Sequence, residues 1–380
     1  MLHRQKLFEA RQGGYHSYRI PGVAVTCGGD ILVSVEGRRE NQSDWASTDI
    51  LLRRSGNRGQ TWTPPRVVVD QSGYGPGPCS NFVMIPLPGG EVRALVCHDY
   101  LRVFTMVSRD AADHFVDVED ITHVFEGFRD QYPWRVVATG PGHGLRLSTG
   151  RLIVPLWMSD ASGGGPGAKH RSHRPSVVAT VFSDDDGRSW QRGEIVARDG
   201  DTVGEQSVRN PSESVAVERA DGSVLMNLRS ESDAARRLLA VSPDGVSGWQ
   251  LLGFDEALVE PICMGSMTRL GPAGEASAAG EPGPILFANP ATLEVSMEMW
   301  PGARARDRRN LTVFASTDDG ASWPIRRSIE PEFASYSDLA PLDSATAVCV
   351  FENGVFDNRI GLDRFIDAAV FDLDFLHGGQ

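Results

Sequence analysis

The chain has 380 residues, a formal net charge of −13 and 41% hydrophobic residues. An acidic balance argues against a nucleic-acid or polyanion surface, because gripping phosphates needs clustered Lys and Arg. No apolar run is long enough to span a bilayer, and a closed propeller carries this length as one domain where most folds would need two or three.

Residues 1–15 are polar and charged with no apolar centre, so no signal peptide is expected. The cytoplasm is the expected compartment, although a secreted chain already trimmed of its leader would read the same. Short strand-like runs follow at 22–25, 31–35, 66–69, 151–157, 176–182 and 223–228, each bounded by Gly, Asp, Asn or Pro. The pairs Gly28-Gly29, Gly89-Gly90, Asp221-Gly222 and Asn353-Gly354 predict hairpin turns. Residues 159–175 and 271–284 are rich in Gly, Pro, Ala and Ser and predict surface loops; the first is also basic and could line an anionic site. Residues 363–371 fit a short helix or a last strand. The five cysteines, Cys27, Cys79, Cys97, Cys263 and Cys349, are scattered without metal-type spacing and predict reduced, buried thiols.

One turn recurs. Ser183-Asp184-Asp185-Asp186-Gly187-Arg188-Ser189-Trp190 and Ser316-Thr317-Asp318-Asp319-Gly320-Ala321-Ser322-Trp323 both fit S-x-D-x-G-x-x-W. Weaker copies stand at 55–62, with Asn57 for the Asp, and at 242–249, with Gly245 one place early; a looser one at 108–115 has Ala and Phe for Gly and Trp. A supersecondary unit repeated at wide intervals, built from short strands with Gly and aromatic turns, predicts an all-β β-propeller. At roughly 60 residues per blade the chain makes about six blades. A six-bladed propeller filling 1–380 leaves no length for an appended lectin domain.

Architecture alone does not name a function. Arg19 stands in the apolar strand start Tyr18-Arg19-Ile20-Pro21-Gly22, Arg229 ends the strand at 223–228, and Arg308 precedes Asn310-Leu311-Thr312-Val313-Phe314. Three arginines at strand ends of different blades could meet at the mouth of the wheel and bind a carboxylate by paired hydrogen bonds.

Tyr18-Arg19-Ile20-Pro21, the repeated turns and the ordered arginines together resemble the exo-α-sialidases, retaining glycosidases on a six-bladed propeller. Gly140-Pro141-Gly142-His143-Gly144, Asn289-Pro290, Tyr336-Ser337-Asp338-Leu339 and Phe351-Glu352-Asn353-Gly354 extend the resemblance over nearly the whole chain. It implies that Arg19, Arg229 and Arg308 clamp the sialic acid carboxylate. Arg308 is preferred to its neighbour Arg309 because the family's arginine stands two places before the residue matching Asn310-Leu311; Arg308 would also share a strand face with Asn310 and Thr312. It implies Tyr336 as nucleophile, Glu213 as the base that activates it, and Asp44 as acid/base, with Asp49 as a fallback that reads as strand. Glu36 and Arg38 are implied partners in the site, Arg38 reaching a sugar hydroxyl, and Asp99 and Trp157 help form the sugar pocket.

The residue types suit the chemistry. The anomeric carbon of a sialic acid already bears a carboxylate, so an attacking Asp or Glu meets charge repulsion that a neutral tyrosine avoids. No metal or other cofactor is expected. Asp184-Asp185-Asp186-Gly187 lacks the ligand spacing of a calcium loop, and His170 and His173 have no carboxylate or Cys nearby to complete a zinc set. The expected partner is a sialylated glycan. A related ulosonic acid (deaminated, bacterial nonulosonic or Kdo) would satisfy the same arginines, and a non-catalytic glycan-binding propeller is the rival from another class. Hydrolase versus transferase, linkage and oligomeric state stay open at the level of sequence.

Overall fold

A computed structural model of the chain describes residues 1–165, 167–271, 283–294, 307–355 and 364–378. Strands dominate; the α-helices among the described residues are two five-residue turns, Thr122–Glu126 and Leu373–His377. The predicted strands form within a few residues of their expected bounds, and residues 365–371 resolve as part of the strand Phe365–Asp372 rather than a helix. Gly29, Gly90 and Gly222 close their hairpins at φ of 85°, 87° and 85°, which glycine adopts without steric cost. Most of the 271–284 loop lies outside the described residues.

The recurring unit is a meander of four antiparallel strands. Ser17–Val25, Ile31–Arg38, Thr48–Ser55 and Arg66–Val69 make one such sheet; Ser214–Glu218, Val224–Leu228, Arg236–Ser242 and Gln250–Val259 make another. Two five-stranded sheets add a short strand to the same unit: Gly142–His143 runs parallel to Cys79–Pro86, and Leu145–Arg146 pairs with Leu152–Ser159. A seven-stranded sheet extends from Leu2–Glu9 to Ser266–Arg269. The sequence predicted six separate blades; the unbroken strand Ile325–Pro341 instead joins two four-stranded runs, pairing with Arg309–Ser316 through its first half and with Thr346–Asn353 through its second.

Neighbouring sheets bury their apolar faces against each other. Ile50 and Val96 share one buried cluster, as do Leu95 and Val154, Ile153 and Met226, Val215 and Phe287, and Val350 and Val33 back on the first sheet; Val313 and Cys349 share another between the two halves of the seven-stranded sheet. Each sheet therefore meets two others, and the series of contacts returns to its start. The fold is all-β with a propeller-like arrangement. Leu2–Glu9 closes the ring by pairing with Phe365–Asp372.

The repeated turns join the third and fourth strands of their units. In all five the Ser hydroxyl accepts the backbone N–H at the glycine position, at 2.8–2.9 Å, and donates to the Asp or Asn side chain. That position has positive φ even in the loosest copy, where Ala112 adopts 66°, so one geometry survives the loss of its preferred residue. Four of the five cysteines are buried as predicted, whereas Cys27 is exposed. No described helix is long and apolar enough to cross a membrane.

Candidate active site

The inner strands deliver the predicted residues to one cavity of about 600 Å³. Arg19, Arg38, Asp44, Glu213, Arg229, Arg308 and Tyr336 all line it. The local cause is register. Ser214 pairs with Leu228, so the next positions outward, Glu213 and Arg229, face each other although sixteen residues separate them. Bulges turn two other side chains inward. The pairing shifts between Arg19 and Gly22, where Ile20 sits at φ 55°, a rare value for a β-branched residue, and again between Ala334 and Ser337, beside Tyr336.

Tyr336 is the centre. Its hydroxyl donates to Glu213 Oε1 at 2.6 Å and accepts from Arg229 Nη1 at 2.7 Å, while the same Arg229 nitrogen pairs with Glu213 Oε2. Burial pushes the phenol well above its usual value, Glu213 adds to the push, and Arg229 and Arg308 oppose it. The guanidinium carbons of Arg19, Arg229 and Arg308 stand 5.4, 6.0 and 5.4 Å from the Tyr336 ring centre. Three cations surround one aromatic ring; Glu213 and Glu352 pair with Arg229 and Arg19, whereas Arg308 is held by the uncharged Ser335 hydroxyl and Ile262 carbonyl.

Each arginine is fixed from behind. Arg19 Nε donates to Glu352 Oε1 at 2.7 Å, and Glu352 also accepts the backbone N–H of Ile20 at 2.8 Å and of Tyr336 at 3.3 Å. Arg308 donates to Ser335 Oγ at 3.0 Å and to the Ile262 carbonyl at 2.8 Å. Its neighbour Arg309 turns away to Asp307, at 2.7 and 2.9 Å, and does not line the cavity. The Nε atoms of Arg229 and Arg308 are buried without a hydrogen-bond partner, the mark of guanidiniums not fully satisfied by protein.

Asp44 lies at the rim, its side chain 46% exposed, 2.9 Å from Arg38 Nη1. Arg38 is spoken for by protein: Nε and Nη2 donate to Glu36 Oε2, and Nη1 donates to the Gln42 carbonyl. It therefore holds Asp44 rather than offering a free hydrogen-bond face to a sugar. Burial alone would favour the neutral Asp44 carboxyl, but Arg38, His173 and Arg19 outweigh it and hold the group below the usual carboxylate range. The fallback Asp49 is fully buried elsewhere, accepting from the Tyr15 hydroxyl at 2.6 Å and the Gln71 N–H at 3.0 Å.

Asp99 is the one predicted residue the cavity does not include. It forms an ion pair with Arg171 at 3.0 Å, and its neighbour Tyr100 lines the wall instead. Trp157 does line it, as expected, and the basic loop at 159–175 contributes His173 and Arg174; Trp45 also lines it, a residue that sequence reasoning did not place there. It sits in an irregular loop, where no periodicity marks a side chain as inward. Among the described residues no cluster of three His, Cys, Asp or Glu could hold a metal ion.

A family model described as a BNR repeat-like domain matches residues 29–346. The chain belongs to that family. A sialidase from Micromonospora viridifaciens is 28% identical over 366 residues, covering 90% of this chain and 50% of that protein. An exo-alpha-sialidase from Arthroderma benhamiae is 24% identical over 310 residues, covering 74% of this chain and 65% of that protein. The chain thus spans one half to two thirds of the length of these relatives. Among solved structures, a Hadza microbial sialidase superimposes with a TM-score of 0.75 at 19% identity, covering 98% of this BNR repeat-like chain and 69% of that one. The sequence resemblance to exo-α-sialidases is borne out by the names these relatives carry.

Proposed function

We propose that this chain is an exo-α-sialidase, a glycoside hydrolase that releases terminal α-linked sialic acid with retention through a tyrosyl intermediate. The observation that carries the reading is the Tyr336 hydroxyl held between Glu213 and Arg229 inside a ring of three arginines. Arg19, Arg229 and Arg308 take the substrate carboxylate through charge-assisted hydrogen bonds, and the positive charge left by two carboxylates against three guanidiniums favours it. Tyr336 Oη attacks the anomeric carbon as Glu213 accepts its proton. The departing glycosidic oxygen takes a proton from Asp44. In the second step water loses a proton to Asp44 and attacks the same carbon, and the released tyrosine oxygen recovers its proton from Glu213. Two displacements at one centre give net retention.

A depressed Asp44 is awkward for an acid, and the substrate supplies the remedy. A carboxylate bound at Arg19 cancels part of the field that keeps Asp44 ionised, so binding raises the fraction able to donate. The six-bladed reading of the ring, and of 1–380 as a single catalytic domain, rests on counting Ile325–Pro341 as the outer strand of one blade and the inner strand of the next. Its separate pairings with Arg309–Ser316 and Thr346–Asn353 support that count. The closest alternative substrate is a related ulosonic acid with the same anomeric carboxylate. A panel of aryl glycosides of N-acetylneuraminic acid, its deaminated form and Kdo, followed by proton NMR, tests both points. The α-anomer should appear first, from the sialoside. Initial release of the β-anomer would overturn the mechanism, and no turnover of any member would overturn the activity.

A further inference from the structure

Asp99 and the basic loop at 159–175 were both marked in the sequence, and the mechanism uses neither. They meet at Trp45, the residue after Asp44. The His170 ring stacks on the Trp45 indole, with centroids 5.1 Å apart and planes 5° from parallel. The Arg171 guanidinium carbon lies 4.9 Å from the same indole, within cation–π range. Arg171 is in turn held by Asp99, whose carboxylate accepts from Nη2 at 3.0 Å and whose backbone carbonyl accepts from the same nitrogen. Tyr100 completes the seat, its ring 5.0 Å from that of Trp45.

The segment that carries Asp44 is held from its two ends, and Trp45 is where a second loop reaches it. Between the strands Ile31–Arg38 and Thr48–Ser55 it is held by Arg38, which pairs with Asp44 at 2.9 Å and donates to the Gln42 carbonyl, and by turn bonds such as Ser43 N–H to Asn41 Oδ1 at 2.7 Å and Ser47 N–H to Glu40 Oε2 at 2.9 Å. The clamping loop is braced across its own base and by Tyr132. The Ser172 carbonyl accepts from Ser159 Oγ at 3.1 Å, the Arg174 carbonyl from Gly163 N–H at 2.9 Å, and the Pro175 carbonyl from the Tyr132 hydroxyl at 2.9 Å. This loop thus grips the Asp44 segment at the Trp45 indole, one residue from the carboxylate.

We propose that Arg171 and Asp99 are positioning residues that hold Asp44 for proton transfer, acting through Trp45. The inference rests on Asp44 being the acid/base of the proposed sialidase. Neither Arg171 nor Asp99 touches the substrate. Their effect is confined to the step in which the leaving oxygen needs a proton, and a small displacement of a proton donor can cost as much as about 10² in rate.

The test is the leaving-group dependence of Arg171→Ala and Asp99→Asn. Asn tolerates the φ of 51° at position 99, so its backbone is preserved. A 4-nitrophenyl sialoside departs as a stabilised phenolate and needs little help from an acid; a sialyl oligosaccharide departs as an alkoxide and needs much. We expect kcat on the oligosaccharide to fall about tenfold or more in both variants, with the nitrophenyl substrate within about twofold of wild type. Thermal unfolding midpoints identify a variant that is merely unstable, and the second variant then decides. Equal losses on the two substrates, or no loss on either, overturn the clamp. Wild-type protein that cleaves neither substrate fails the sialidase reading itself, which is a separate result.

Discussion

Replacing Glu213 by Gln preserves an acceptor for the Tyr336 hydroxyl while removing the base. The hydroxyl now donates to Glu213 Oε1 at 2.6 Å, and burial holds the phenol above its ordinary value. With an unperturbed pKa of about 10, only about one tyrosine in a thousand is ionised at pH 7, and burial lowers that fraction further. A group that takes the proton as the bond forms removes this deficit. General-base assistance is commonly worth about 10²–10⁴ in rate, equivalent to about 3–5 kcal/mol of barrier. Glu213→Gln should therefore lower kcat by at least about 10². KM should hold or fall, because Arg229 loses its anionic partner Glu213 and gains a stronger pull on the substrate carboxylate. Steady-state kinetics on an aryl sialoside, with circular dichroism and a melting curve as folding controls, measure both quantities. A variant within about tenfold of wild-type kcat would refute the proton-transfer role.

Arg308→Ala should weaken binding of the anionic sugar by about tenfold or more through loss of a charged hydrogen-bonding partner, whereas Arg309→Ala, whose side chain turns to Asp307, should leave inhibitor binding unchanged; isothermal titration distinguishes them. The Asp44 acid should give an alkaline limb that lies at higher pH in kcat than in kcat/KM, because bound carboxylate cancels part of the positive field that depresses Asp44 in the free protein. Coincident limbs would argue against that coupling. His143 Nδ1 lies 2.8 Å from Asp338 Oδ1; burial lowers its pKa, but the Asp338 charge outweighs burial and the net shift is upward. A folded-state value above the unfolded one stabilises fully below about pH 6.5, and the gain is lost as pH rises through the folded value. The melting-temperature gap between wild type and His143→Gln should thus be wider near about pH 5.5 than near about pH 9.

The sequence was most readable where chemistry and strand geometry coincide. Arg19, Arg229, Arg308, Tyr336 and Glu213 all sit in strands or at their ends, and pairing such as Ser214 with Leu228 carries them to one place. Asp99 was misread because a carboxylate in a turn reports its chemistry but not its direction; the turn after Val92–His98 aims it at Arg171. Trp45 carried no signal, since a loop aromatic is inward only through contacts with residues remote in the chain, whereas the basic character of 159–175 did point to His173 and Arg174. Ile325–Pro341 hid its double role for another reason. A change of partner in mid-strand needs no turn residue, so nothing in its composition marks the switch.

Arg19 and Glu352, joined at 2.7 Å, are separated by 333 residues. A ribosome adding 5–20 residues per second would release the second roughly 17–67 s after the first. Throughout that interval the nascent chain carries a guanidinium whose anion does not yet exist, and the strand Leu2–Glu9 waits even longer for Phe365–Asp372. The site therefore cannot mature gradually. Translation that stops short of the last sheet leaves a nearly complete polypeptide with an unpaired strand edge and an unfinished cavity, so catalytic competence arrives with ring closure and serves as its reporter.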